Sequence, residues 1–169
     1  MNSLADLNSL TRAEAQTELL KCCHSRLWAE QLVEGRPYGD IDELLRHSDR
    51  IWWSLEPNNW LEAFRSHPKI GEKKAEAAST DIAQKWSEQE QSGTHDAQEE
   101  ALTELAELNR RYLKRFGFIF IVCATGKTTT EILSLLRKRI NNDLDEELRI
   151  AAAEQARITT LRIRKLLTS

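Results

Sequence analysis

Phe118-Ile119-Phe120-Ile121-Val122-Cys123-Ala124 (FIFIVCA, residues 118–124) is the stretch whose reading decides the fold. It is apolar throughout and rich in β-branched and aromatic residues, the composition of a buried strand. A strand needs a partner, because alone it leaves its own N–H and C=O groups unanswered. No partner strand is evident elsewhere in the chain. The reading that fits is extended, buried backbone lining a ligand pocket in a protein otherwise built of helices. The next residues, Ala124-Thr125-Gly126-Lys127-Thr128, lie between an apolar run and a helix, as a phosphate-binding loop would. That motif requires a second glycine five positions before Gly126, where this chain has Ile121. A cap and a tight turn account for the loop, and nucleotide hydrolysis is not expected.

Outward from this segment the signals are helical. Ala101, Leu105, Leu108, Tyr112 and Phe116 share one stripe, which predicts a single amphipathic helix over 96–116 ended by Gly117. Downstream, Thr128 with Glu131 and Asp143 with Glu146 are helix-start pairs, the second opening a last helix to about Leu167. Upstream, Thr11 with Glu14 opens a run that continues to Cys22-Cys23, and Ser25 restarts it toward Trp28, Leu32 and Val33. Gly35-Arg36-Pro37-Tyr38-Gly39 reads as a loop, and Asp40 with Glu43 caps a helix bearing Ile41, Leu44, Leu45, Ser48, Ile51, Trp52 and Leu55. A lysine- and alanine-rich stretch from Glu72 to Ala78 reads as helical and leads into polar residues from Ser79. The expected architecture is all-α, one domain over residues 1–169, with seven or eight helices. Trp28, Trp52, Trp53 and Trp60 are expected in the core or facing a partner.

Bulk properties narrow the function. A chain of 169 residues, 40% hydrophobic and 30% charged, is long enough to bury a sizeable core. A net charge of −3 with dispersed basic residues gives no reason to expect nucleic acid or an anionic membrane as partner. The three cysteines include the adjacent pair Cys22-Cys23, which suits a reducing compartment. Neither a secretory opening, a membrane span nor a Ser-Lys-Leu ending is recognised, so a cytoplasmic location is expected. His24, His47, His67 and His95 are dispersed, without a metal-ligand spacing, and no metal or cofactor is expected. Cys123 reads as a buried, inert thiol.

Two stretches carry candidate chemistry, FRSHPKIG (residues 64–71) and WSEQEQSG (residues 86–93). Proline disfavours a helical predecessor, so the helix suggested by Trp60, Leu61 and Phe64 stops near His67. An imidazole there, with an ordinary pKa of roughly 6.5, suits proton transfer; it also reads as a plain helix stop. In the last helix, Leu144, Leu148, Ala151, Gln155, Ile158, Arg162 and Leu166 fall within about 80° of arc, so Arg162 points with the apolar face. A guanidinium there requires an anion, which is either a bound carboxylate or an internal Asp or Glu.

His67-Pro68-Lys69-Ile70-Gly71, Glu88-Gln89 with Gly93, and Phe116-Gly117-Phe118 followed by Phe120 occur in the order and approximate spacing of one family. With the early Arg36-Pro37-Tyr38 and the late Leu161-Arg162-Ile163, the chain resembles 2-oxo-4-hydroxy-4-carboxy-5-ureidoimidazoline (OHCU) decarboxylases. The resemblance implies cofactor-independent decarboxylation yielding S-allantoin in uric acid degradation, with His67 and Glu88 catalytic. It implies that Pro68, Gln89, Arg162 and the segment Phe120, Ile121, Val122, Cys123 and Ala124 bind substrate, and that the chain forms a homodimer. The competing reading is a non-enzymatic helical interaction module in which the tryptophan-rich half packs a partner and His67 ends a helix. Without the resemblance, Glu88 reads as the polar start of a helix.

Overall fold

The computed structural model describes residues 3–67 and 95–168. Eight helices run through them: α1 (Leu4–Ser9), α2 (Arg12–Leu20), α3 (Arg26–Glu34), α4 (Ile41–Ser54), α5 (Pro57–Phe64), α6 (His95–Phe116), α7 (Thr129–Arg139) and α8 (Leu144–Leu166). No strand occurs among the described residues, as the all-α expectation requires. The helix expected over Glu72 to Ala78 lies outside them.

The starts follow the sequence signals. Thr11 and Glu14 form a reciprocal capping box at α2, and Thr128 and Glu131 form another at α7. Ser25 caps α3 through the Trp28 N–H. At α4 the Asp40 carboxylate accepts from the Glu43 N–H, while the Glu43 carboxylate reaches one residue further back, to the Gly39 N–H at 2.6 Å. Asp143 accepts from the Glu146 N–H at 2.8 Å and opens α8. Pro57 occupies the first turn of α5, where its missing N–H costs no bond. Gly117, at φ 78°, ends α6 in the left-handed region that glycine enters without steric penalty.

The chain divides into two compact units, Met1–Ser66 with Ala152–Ser169, and His67–Ala151. In the first, α3 packs against α2, α4 and α5 around Leu7, Leu19, Trp28, Leu32, Leu44 and Phe64, all essentially inaccessible. The buried indoles are satisfied by carbonyls: Trp28 Nε1 donates to Ser48 and Trp52 Nε1 to Ala152 of α8. The 35–39 loop is tied down by side chains. Arg36 Nη1 donates to the carbonyls of Leu7 and Leu10, and the buried Tyr38 hydroxyl to that of Leu32. Trp53 departs from Trp28 and Trp52: it is 44% exposed, with its Nε1 donating to Asp49.

The second unit packs α6 on α7 and buries Leu105, Tyr112, Ile132 and Leu136. The α6 stripe is as expected at Leu105, Leu108, Tyr112 and Phe116, with Ala101 half-buried. The buried line of α8 differs from expectation: it follows Glu147, Ala151, Gln155, Thr159 and Ile163. Leu144 is 54% exposed, and Leu148, Ile158, Arg162 and Leu166 sit half-buried on its shoulder. The apolar wheel misplaced the line because three of its members are polar and find partners inside the protein.

Burial shifts four acids in one direction. It pushes the Cys22 thiol up to about 12, Cys23 up to about 11 and the Tyr38 phenol up to about 12, and it also raises Tyr112, with Glu147 adding to the effect. Each proton is held more tightly folded than unfolded, where thiols titrate near 9.0 and phenols near 10.0. The unfolded chain therefore sheds these protons first, and the stability they confer is complete below about pH 9 and lost as pH rises toward about 12. Melting temperatures are expected to fall progressively above about pH 9, and Tyr38→Phe to flatten that fall.

Candidate active site

Residues 118–124 run without helix or strand between Gly117 and the turn at Thr125-Gly126. Phe118, Phe120, Ile121, Val122 and Cys123 are all buried. Tyr112 forms edge contacts with Phe118 and Phe120, at centroid separations of 5.8 and 5.3 Å, and Phe116 lies 6.0 Å from Phe118. This aromatic cluster fixes the segment laterally.

Its backbone is held by cations. Arg139 Nη1 donates to the Ile121 carbonyl at 2.8 Å and Lys127 Nζ to the Cys123 carbonyl, also at 2.8 Å. The captured carbonyls are two residues apart, the period of extended chain. Among the described residues, no hydrogen bond reaches the N–H of Phe120, Ile121 or Val122. Buried amides of this kind are nearly always paired, so three in a row mark a place where something else accepts.

Behind the segment lies a polar cluster that the sequence did not reveal. Arg139, 5% exposed, donates through Nε and Nη2 to Glu147 Oε1 at 2.8 and 2.5 Å. Glu147 is fully buried; its Oε1 also accepts from the Tyr112 hydroxyl and its Oε2 from Asn142 Nδ2 at 2.9 Å. The Arg139 guanidinium stands 4.5 Å from the Phe120 ring centroid. In sequence, Arg139 looks like one more cation ending a helix and Glu147 like one more acid beginning one, so neither carried a signal.

Lys127 and Thr128 settle the loop that resembles half a phosphate site. The lysine is committed to the Cys123 carbonyl, and the amide and hydroxyl of Thr128 are taken by Glu131. The carboxylate already occupies the helix end an anion would seek.

Of the other expected residues, His67 is half-buried just beyond α5, which stops at Phe64 as expected. Pro68, Glu88 and Gln89 lie outside the described residues. Arg162, in the other compact unit, is half-buried and donates through Nη1 to the Cys22 carbonyl at 3.3 Å. No described carboxylate pairs with it. Arg149, Arg157 and Arg164 are exposed, as the wheel predicts. Cys123 is buried and unbridged.

These features define an all-α protein with a buried, backbone-lined wall and, among the described residues, no nucleotide-binding loop. The chain belongs to the OHCU decarboxylase family, whose model matches residues 8–164. It is 39% identical over 146 residues to the Uric acid degradation bifunctional protein TTL of Arabidopsis thaliana, covering 86% of this chain and 45% of that protein. The chain thus spans under half the length of that relative. It is 26% identical to the 2-oxo-4-hydroxy-4-carboxy-5-ureidoimidazoline decarboxylase of Haloferax volcanii, over 86% of this chain and 84% of that one. A crystal structure of OHCU decarboxylase in the presence of (S)-allantoin superposes with a TM-score of 0.71 at 38% identity, over 88% of this chain and 96% of that one.

The polar cluster yields a stability expectation. Glu147→Ala leaves a guanidinium buried without its counter-charge, and equilibrium unfolding in denaturant should show a loss of about 3–5 kcal/mol. Glu34→Ala, which breaks a pair more than half exposed on both sides, should change stability little.

Proposed function

We propose that this chain is a cofactor-independent carboxy-lyase that converts OHCU to S-allantoin in uric acid degradation. Family membership supplies the reaction class, and one observation carries the reading: the buried segment from Phe120 to Cys123, with three successive amides that no described group accepts from. Loss of carbon dioxide from the carbon bearing both hydroxyl and carboxylate passes the bond's electron pair into the adjacent ring C=N, leaving an enol, and on through that nitrogen to the conjugated ring carbonyl. Negative charge then collects on that oxygen, and fixed backbone N–H donors lower its energy without a metal. Protonation of the neighbouring, ureido-bearing carbon on a single face, with loss of the hydroxyl proton to form the new ring carbonyl, sets the configuration of the product.

In this reading His67 delivers that proton, Glu88 orients the substrate hydroxyl or His67, Gln89 reads the ring amide edges and Pro68 packs against the ring. Arg162 grips the substrate's negative charge. Its half-buried guanidinium, with one described bond to a carbonyl and no described carboxylate, supports that role. The same reading places the protein in the cytoplasm as a homodimer. Trp53, exposed and edge-on to Trp60 at 5.8 Å, is a candidate for the contact between subunits.

The deciding experiment supplies freshly generated OHCU and follows optical activity, since spontaneous decay gives racemic allantoin. Rapid appearance of one enantiomer is expected, and racemic product at the spontaneous rate would overturn the proposal. His67→Asn should reduce kcat by about 10²–10⁴-fold, the usual range for a lost general acid or base, with helical circular dichroism and melting unchanged. Retained stereospecific turnover in that variant removes the role from His67. Arg162→Lys keeps the charge but loses the planar fork, and titration with a product analogue should show binding weaker by about 1.5–3 kcal/mol at unchanged stability.

A further inference from the structure

Arg139 has no place in the chemistry described so far, yet it is the most constrained cation among the described residues. Two of its nitrogens are fixed on one oxygen of Glu147, a third points at the Ile121 carbonyl, and its face covers the Phe120 ring. Stability is a poor explanation, because a buried ion pair holds little advantage over apolar residues of similar volume. A cation at the end of α7 needs no burial either, since Arg137 and Lys138 already stand exposed in its last turn.

What the arrangement does fix is a peptide plane. The Ile121 carbonyl and the Val122 N–H belong to the same peptide unit, which is trans, so they point in opposite directions within one rigid plane. Holding the oxygen with a planar guanidinium, itself held by Glu147, therefore sets where the Val122 N–H points. That N–H is buried and has no acceptor among the described residues. A charged donor on the carbonyl also polarises the peptide and strengthens its N–H as a donor. Glu147 also accepts from the Tyr112 hydroxyl and from Asn142, but the paired bonds from Arg139 Nε and Nη2 to its Oε1 are what keep the guanidinium from swinging away.

We infer that Arg139 is a positioning residue for the decarboxylation, aiming the Val122 N–H at the oxygen on which negative charge develops, with Glu147 as its anchor. The assignment rests on the decarboxylase reading above. It predicts an effect on turnover and not on substrate affinity, because the amide meets its full charge only in the transition state.

The test compares the wild-type chain with Arg139→Lys and Tyr112→Phe, measuring kcat, KM, enantiomeric excess and melting on fresh OHCU. Lysine keeps the counter-charge for Glu147 but cannot hold that carboxylate and the Ile121 carbonyl with one rigid plane. Its kcat is expected to fall about 10- to 100-fold with KM changed less than about threefold. Tyr112→Phe strips a hydrogen bond from Glu147 and none from Ile121. It should melt at lower temperature with kcat within about twofold of wild type. Unchanged kcat in folded Arg139→Lys, or an equal fall in Tyr112→Phe, overturns the assignment. Should Arg139→Lys fail to fold, Arg139→Gln/Glu147→Gln removes both charges together; a comparable fall in kcat supports the role and wild-type kcat refutes it. An inactive wild type overturns the decarboxylase reading and this assignment with it, whereas an active wild type with an active Arg139→Lys defeats the positioning role alone.

Discussion

A buried stretch of backbone with no strand beside it must have its polar groups answered by something other than a ladder. Residues 118–124 live under that constraint, and the second compact unit is arranged around it. Arg139 and Lys127 take carbonyls two residues apart, and the Tyr112, Phe116, Phe118 and Phe120 rings lock the side chains. The carboxylate of Glu147 offsets the Arg139 charge deep in the unit. Each element is otherwise costly: a buried cation, a buried acid and an irregular backbone. Together they satisfy one another and leave the amides of Phe120, Ile121 and Val122 without a described acceptor.

The first unit solves a more ordinary problem. Short helices of six to fourteen residues are marginal alone, and they hold together by burying Trp28, Leu32, Leu44 and Phe64 against one another. Their connections are as specified as their cores. Arg36 reaches two carbonyls near the end of α1, and the side chain of Asn8 exchanges two bonds with the backbone of Tyr38. Such bonds give a loop rich in glycine and proline one conformation. The second half of α8 belongs to this unit and its first turns to the other, so a single 23-residue helix contributes to both.

Charge is handled differently on the surface and inside. Arg12–Glu34, Arg26–Glu62 and Arg137–Glu104 are largely solvated pairs that contribute little each. Arg139–Glu147, with both side chains below a tenth exposed, gains its weight from what it orients. A reaction that creates negative charge on a small heterocycle needs donors set in advance, since reorganising them during the reaction would raise the barrier. On the proposed reading, the backbone amides of the clamped segment are those donors.

The sequence by itself determined the helices and their ends. Caps such as Thr11, Ser25, Asp40, Thr128 and Asp143 act on their own next turn, and the α6 stripe depends only on helical period, so local information sufficed. It also ruled that FIFIVCA is no ladder strand and that the loop at Gly126 is no phosphate cradle, both by counting what was missing. The following proline placed His67 at a helix exit and the helical wheel placed Arg162 on the last helix, and both are half-buried. Only the tertiary structure decided that α8 turns Glu147, Gln155 and Thr159 inward, because burying a polar side chain depends on partners distant in sequence. Glu147 meets Tyr112 thirty-five residues away, and Arg139 reaches back eighteen to Ile121. A helical wheel ranks residues by type and has no means of seeing those partners.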